Sequence, residues 1–64
     1  MNLRWTSLTR AQRAALSILH GEGPCLLPQE LGEQLINLGL VEPLHAGGYC
    51  ITAMGSTLVP PTIH

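Results

Sequence analysis

Two stretches of this chain carry apolar side chains at helical spacing, and a third alternates around a glycine-rich reversal. Leu8, Ala11, Ala15, Ile18 and Leu19 share one helical face, joined at its margins by Ala14 and Leu16. This predicts a helix over Arg10–His20 with Thr9 as N-cap and with Arg10, Arg13, Ser17 and His20 on the opposite, solvated face. Leu31, Leu35 and Leu38 mark a second helix over Pro28–Leu38; Pro28 suits its first turn and Gly39 its left-handed end. Glu30, Glu33, Gln34 and Asn37 form the polar stripe of that helix. Leu40, Val41 and Leu44 then read as a strand that Pro43 confines to a sheet edge or a bulge. His45-Ala46-Gly47-Gly48 supplies the positive φ of a reversal, and Tyr49-Cys50-Ile51 is the returning strand. Thr52 caps a short helix from Ala53, which Pro60-Pro61 stops.

The segments before and between these elements are shorter. Asn2–Thr6 reads as a short strand with Leu3 and Trp5 on one face, Trp5 serving as a lid on the core. Gly21-Glu22-Gly23-Pro24 is a loop, and Cys25-Leu26-Leu27 a short apolar strand. Gly32, inside the second helix, costs about 1 kcal/mol against alanine. Close approach to the alanine-rich first helix is the expected compensation.

The order of helix, Gly-Leu-Val, hairpin, Tyr-x-Ile-Thr-x-x-Gly and short helix resembles the C-terminal half of winged helix-turn-helix domains. The multiple-antibiotic-resistance and phenolic-acid-decarboxylase repressor families are examples. The matching residues are Leu35, Leu38, Gly39, Leu40, Val41, Glu42, Tyr49, Ile51, Thr52 and Gly55. With Leu8-Thr9-Arg10-Ala11-Gln12 as the first-helix opening, the resemblance spans about residues 8 to 59. It implies an α+β fold: a small, reduced winged-helix-like domain over residues 1–64, with two main helices, a β-hairpin wing and a short C-terminal helix. It also implies that Cys25–Leu27 pairs with Tyr49–Ile51, and that the second helix is the DNA-reading one. Those families place two helices between the first helix and the wing, whereas His20 to Gly39 has room for a connector and one helix.

Composition changes this picture in one respect, the supply of charge. The chain has 64 residues and a net charge of −1; its three cations are Arg4, Arg10 and Arg13, and its four anions are Glu22, Glu30, Glu33 and Glu42. Non-specific DNA affinity comes from cations that displace counterions, so three arginines per chain is a thin supply. Phenylalanine is absent and there is one Trp and one Tyr, so the core is aliphatic and small. Sharing apolar surface in a homodimer is the expected remedy. No apolar run nears the roughly 18 residues of a membrane span. No apolar leader region follows Arg4-Trp5, and a cytoplasmic protein is expected.

Little catalytic chemistry is available. Without Asp there is no Ser-His-Asp arrangement, no phosphate-loop pattern is present, and no acid, base and nucleophile converge. The chain is not expected to be an enzyme. Cys25 and Cys50 read as small buried hydrophobes. His20-x4-Cys25 and His45-x4-Cys50 match no zinc spacing, so neither a metal nor another cofactor is expected. Two functional readings remain. In the first, to which the resemblance points, the chain is a small DNA-associated regulatory protein of the kind a phage or plasmid encodes, acting as a homodimer. Arg4, Arg10 and Arg13 would then contact phosphates, and Gln34 and Asn37 would touch bases. In the second, to which the charge points, it is a protein–protein interaction module on a winged-helix-like core without DNA binding. Trp5, Leu44 and Tyr49 would then dock the partner. The sequence leans slightly to the first.

Overall fold

The computed structural model describes residues 3–60, and its architecture is the expected α+β one. A 3-10 turn, Trp5–Ser7, leads into helix α1 (Arg10–Glu22). Helix α2 (Gln29–Asn37), strands β1 (Val41–Pro43) and β2 (Tyr49–Ile51) and the short helix α3 (Ala53–Leu58) follow.

α1 begins where its sequence provides a reciprocal cap. The Gln12 N–H donates to Thr9 Oγ1 at 3.1 Å, and the Thr9 N–H donates back to Gln12 Oε1 at 3.0 Å. The helix runs through the predicted loop to Glu22 and ends at Gly23, whose φ of +92° suits glycine. The buried face differs from the expected one. Leu8, Ala15, Leu16 and Leu19 are buried, whereas Ala11 and Ala14 are exposed and Ile18 is 44% exposed. Leu16, read as marginal, has no exposed surface at all. An alanine stripe is a weak guide to orientation, because each alanine buries so little area; the leucines decide which face turns inward.

α2 ends in a Schellman cap. Gly39, with φ +79°, donates to the Ile36 carbonyl, and Leu40 donates to that of Leu35, both at 2.9 Å. Leu35 and Leu40, the pair that this motif brings together, are fully buried. The chain leaves directly into β1, which pairs antiparallel with β2 in the register Val41↔Ile51, Glu42↔Cys50 and Pro43↔Tyr49. Between them is a three-residue loop, His45–Gly47, closed by Leu44 N–H to the Gly48 carbonyl and Gly47 N–H to the Leu44 carbonyl, each 3.0 Å. Pro43 lies on an edge strand, as its missing donor requires.

The expected third strand, Cys25–Leu27, contributes a single bridge, Cys25 to Tyr49, bonded in both directions at 2.9 and 3.1 Å. Pro24 and Pro28 bracket it and limit its length. This places Cys25 beside the residue preceding Cys50; both thiols are free and half-buried rather than buried outright. The expected N-terminal strand is also corrected. Trp5–Ser7 forms the 3-10 turn, with Ser7 N–H on the Arg4 carbonyl, while Asn2 lies outside the described residues. Trp5 nonetheless packs half-buried against the core. α3 ends at Leu58, just before Pro60; Pro61 lies outside the described residues.

Two glycines are fixed by packing. Gly32 approaches Tyr49 of β2, not α1: a Cβ there would overlap the tyrosine ring. Gly55 in α3 lies on the Leu40 carbonyl oxygen and Ile51 Cγ1, where a Cβ has no room. Gly55→Ala should therefore lower the unfolding free energy by about 3 kcal/mol, since a backbone carbonyl cannot swing aside as a side chain can. Gly32→Ala should cost about 1–3 kcal/mol, and markedly less in a Tyr49→Leu background. Urea unfolding of the four variants checks both, and equal costs in the two backgrounds would refute the Tyr49 contact.

Candidate functional site

The residues expected to contact DNA lie on two elements. Arg10 and Arg13 lie in the first turns of α1, exposed and half-buried respectively, and Arg4 is exposed just before the 3-10 turn. Two cations at this end oppose the helix macrodipole. No side-chain hydrogen bond among the described residues involves an arginine or a glutamate. Among the described residues the arginine heads are thus uncommitted.

α2 turns its polar stripe outward as expected, with Glu30, Glu33, Gln34 and Asn37 all exposed. Its inner face is Gly32 and Leu35, flanked by half-buried Leu31, Ile36 and Leu38. Gln34 is engaged, however: its Oε1 accepts from Gln12 Nε2 at 3.0 Å. Gln12 already holds the α1 cap through its own oxygen, so one chain of bonds runs from Thr9 through Gln12 to Gln34. It ties the start of α1 to the middle of α2. Asn37 shows no such tie. The α2 face thus presents two carboxylates, one free amide side chain and one tethered amide.

The hairpin presents a different surface. Tyr49, a candidate docking residue, is half-buried with its ring against Gly32, and Trp5 is half-buried on the core. Both are occupied within the fold. Leu44 is 37% exposed at the base of the loop, and Leu26 is 81% exposed. A Cβ on Gly48 would lie 3.6 Å from Leu26 Cδ2, and Gly48 is also the hairpin partner of Leu44. Two exposed leucines therefore flank the same glycine. Leu26 escaped the sequence reading, although one signal was present. Successive side chains in extended backbone point to opposite faces, so inward Cys25 and Leu27 force Leu26 outward. No lysine or arginine lies between residues 40 and 50; the loop carries only His45 as a titratable group.

His20 and His45 are exposed at element ends, and no three His, Cys, Asp or Glu side chains gather among the described residues. No helix among them is long and apolar enough to cross a membrane. The chain has no match among protein-family models, curated proteins or solved structures.

If the Gln12–Gln34 bond is a tie between helices, Gln34→Ala should lower stability by about 0.5–1 kcal/mol, with the loss largely absent when Gln12 is already Ala. A double-mutant cycle by urea unfolding measures it, and strict additivity would show the two amides uncoupled.

Proposed function

We propose that this chain is a protein–protein interaction module built on a small winged-helix-like core and acting in the cytoplasm. The observation that carries the reading is the pair of exposed leucines, Leu26 and Leu44, on either side of Gly48. Leu26 is 81% and Leu44 37% exposed, so together they make an apolar pair at the surface beside the hairpin, where a partner would cover both. The charge supports the same reading. The outward face of α2, which would have to read DNA, carries Glu30 and Glu33 toward any phosphate, and the hairpin tip offers no cation. Counterion release then rests on three arginines, in the first turns of α1 and just before the 3-10 turn.

A second reading, a DNA-associated regulator, is favoured by the uncommitted side chains of Arg4, Arg10 and Arg13. In it those arginines hold phosphates and Asn37 faces bases, while Gln34 has one amide group left to offer.

A photo-crosslinking side chain placed at position 26, with Ser17 as a control position, tests the first reading in the native host. Crosslinking should yield one dominant protein product from position 26 and none from 17, and Leu44→Asp should abolish it. Leu26, at 81% exposed, tolerates replacement within about 0.5 kcal/mol of stability, as exposed positions do, and circular dichroism checks that Leu44→Asp is folded. Equal products from both positions would overturn the module. Titration with duplex DNA at low salt tests the second reading. If the chain binds, each of Arg10→Ala and Arg13→Ala should reduce the logarithmic salt slope by about 0.9, and Glu33→Gln should tighten binding. Absence of binding at low salt would eliminate the regulator.

A further inference from the structure

Strand register sorts the hairpin side chains onto two faces. Residues paired across the strands share a face, and successive residues alternate. Val41, Tyr49 and Ile51 therefore belong together; Val41 is buried, and the Tyr49 ring lies on Gly32 of α2. Glu42 and Cys50, also a register pair, belong to the reverse face, and the bond from Leu44 to Gly48 adds one more pair to it. The Cys25–Tyr49 bridge sets Leu26 beside Gly48 on the same side, where a Cβ on Gly48 would lie 3.6 Å from Leu26 Cδ2. Leu26, Leu44 and Glu42 are exposed and Cys50 is half-buried, so this face stands open around Gly48. The row Leu26, Gly48, Leu44 spans two strand spacings, about 10 Å, with no side chain at its middle position. Glu42 lies two residues from Leu44 along β1, about 7 Å away. No side-chain hydrogen bond among the described residues involves Glu42. The chain has no lysine, and no arginine after Arg13.

We propose that this face takes an amphipathic helix of a different protein, with an apolar side chain over Gly48 and a lysine or arginine one turn along at Glu42. The inference rests on the docking role given above to Leu26 and Leu44, and it names the chemistry of what docks. A helix fits because residues four apart rise about 6 Å, close to the step from Leu44 to Glu42. An added strand fits less well. Pro43 removes a donor from β1, an edge strand, and Pro24 and Pro28 bracket the Cys25 segment on the other side of β2. Charge decides against a second copy. A two-fold contact sets the same patch on both sides, so it would add a second Glu42 and no arginine or lysine from either sheet. A basic residue on the partner gives this carboxylate its counter-charge, and a charge beside an apolar contact fixes register and partner choice more than affinity.

Selection from a display library of random peptides about 16 residues long, about 24 Å as a helix, tests the chemistry. On the wild-type chain, enriched sequences should place lysine or arginine three or four positions from an apolar residue. On E42K the same selection should enrich Asp or Glu at that offset. A synthetic peptide of the leading wild-type sequence should gain helical signal on binding. Its affinity should fall about tenfold or more on L26S and on L44S, as contact anchors do. E42Q should weaken it about threefold, the scale of one exposed ion pair, and should remove most of its salt dependence. Circular dichroism confirms that each variant is folded. Affinity that depends on the leucines but ignores Glu42, or enriched peptides without the charge offset, overturns the proposal and leaves the docking face standing. A bound peptide without helical signal does the same. Affinity indifferent to both leucines, or no enrichment over an unrelated protein, overturns the docking face and the proposal together. A wild-type chain that sediments as a dimer at high concentration, and that L26S makes monomeric, gives the face to a second copy and overturns the proposal.

Discussion

The Leu40 carbonyl is the point on which the rest of the molecule closes. It accepts the Thr52 N–H at 3.0 Å, and the Cα of Gly55 lies against it with no room for a side chain. One residue earlier, the Gly39 carbonyl accepts the Thr52 hydroxyl at 2.7 Å, and that hydroxyl accepts the Gly55 N–H at 3.1 Å. Thr52 therefore ties the end of α2 to the start of α3 through one side chain that both donates and accepts. The hairpin is caught between these two anchor points, so β1 and β2 are held at their base independently of the loop. A two-stranded ribbon of three residues per strand would not persist alone. Here its base is fixed by the two bonds of Thr52 to the end of α2.

Everything else leans on that unit. Leu35, Leu40 and Val41 supply its buried surface, and α1 covers it with Leu8, Ala15, Leu16 and Leu19. Among the described residues no polar side chain is buried, so the core there is held by apolar area, about 1.5–3 kcal/mol for each fully buried leucine. Tyr49 links the layers: its backbone bonds Cys25 in both directions while its ring lies on Gly32 of α2. One residue thus joins the connector, the sheet and a helix, and Gly32 is the accommodation that allows it.

The parts legible in the sequence are those where local chemistry has one solution. Thr9 followed by Gln12, Gly39 after Leu38, the paired glycines of the loop and Thr52 before Gly55 each satisfy backbone groups that have no other partner. The parts that misled are those where tertiary packing chooses. Ala11 and Ile18 match a helical stripe as well as Leu16 does, and only the placement of α1 over the hairpin selects Leu16. Leu3 and Trp5 alternate as a strand would, but no strand pairs with them, and the backbone closes into a 3-10 turn instead. Gly32 reads from the sequence as a close approach to α1, whereas its partner is Tyr49, seventeen positions on in the chain.

The same contrast bears on function. Seven of the ten residues that carry the winged-helix resemblance build the Leu40–Thr52–Gly55 closure and the core beneath it: Leu35, Gly39, Leu40, Val41, Ile51, Thr52 and Gly55. Selection for that closure would preserve them whatever the surface does, so the resemblance speaks to how the chain folds. What the chain binds depends on positions the closure leaves free, and these are of two kinds. Around Gly48 they are apolar, at Leu26 and Leu44; along α1 and α2 they are charged, with arginines and glutamates on adjoining helices. A surface built for a polyanion would spread one sign of charge across both helices and the hairpin tip. This one divides its signs between neighbouring helices and places no arginine or lysine at the hairpin tip.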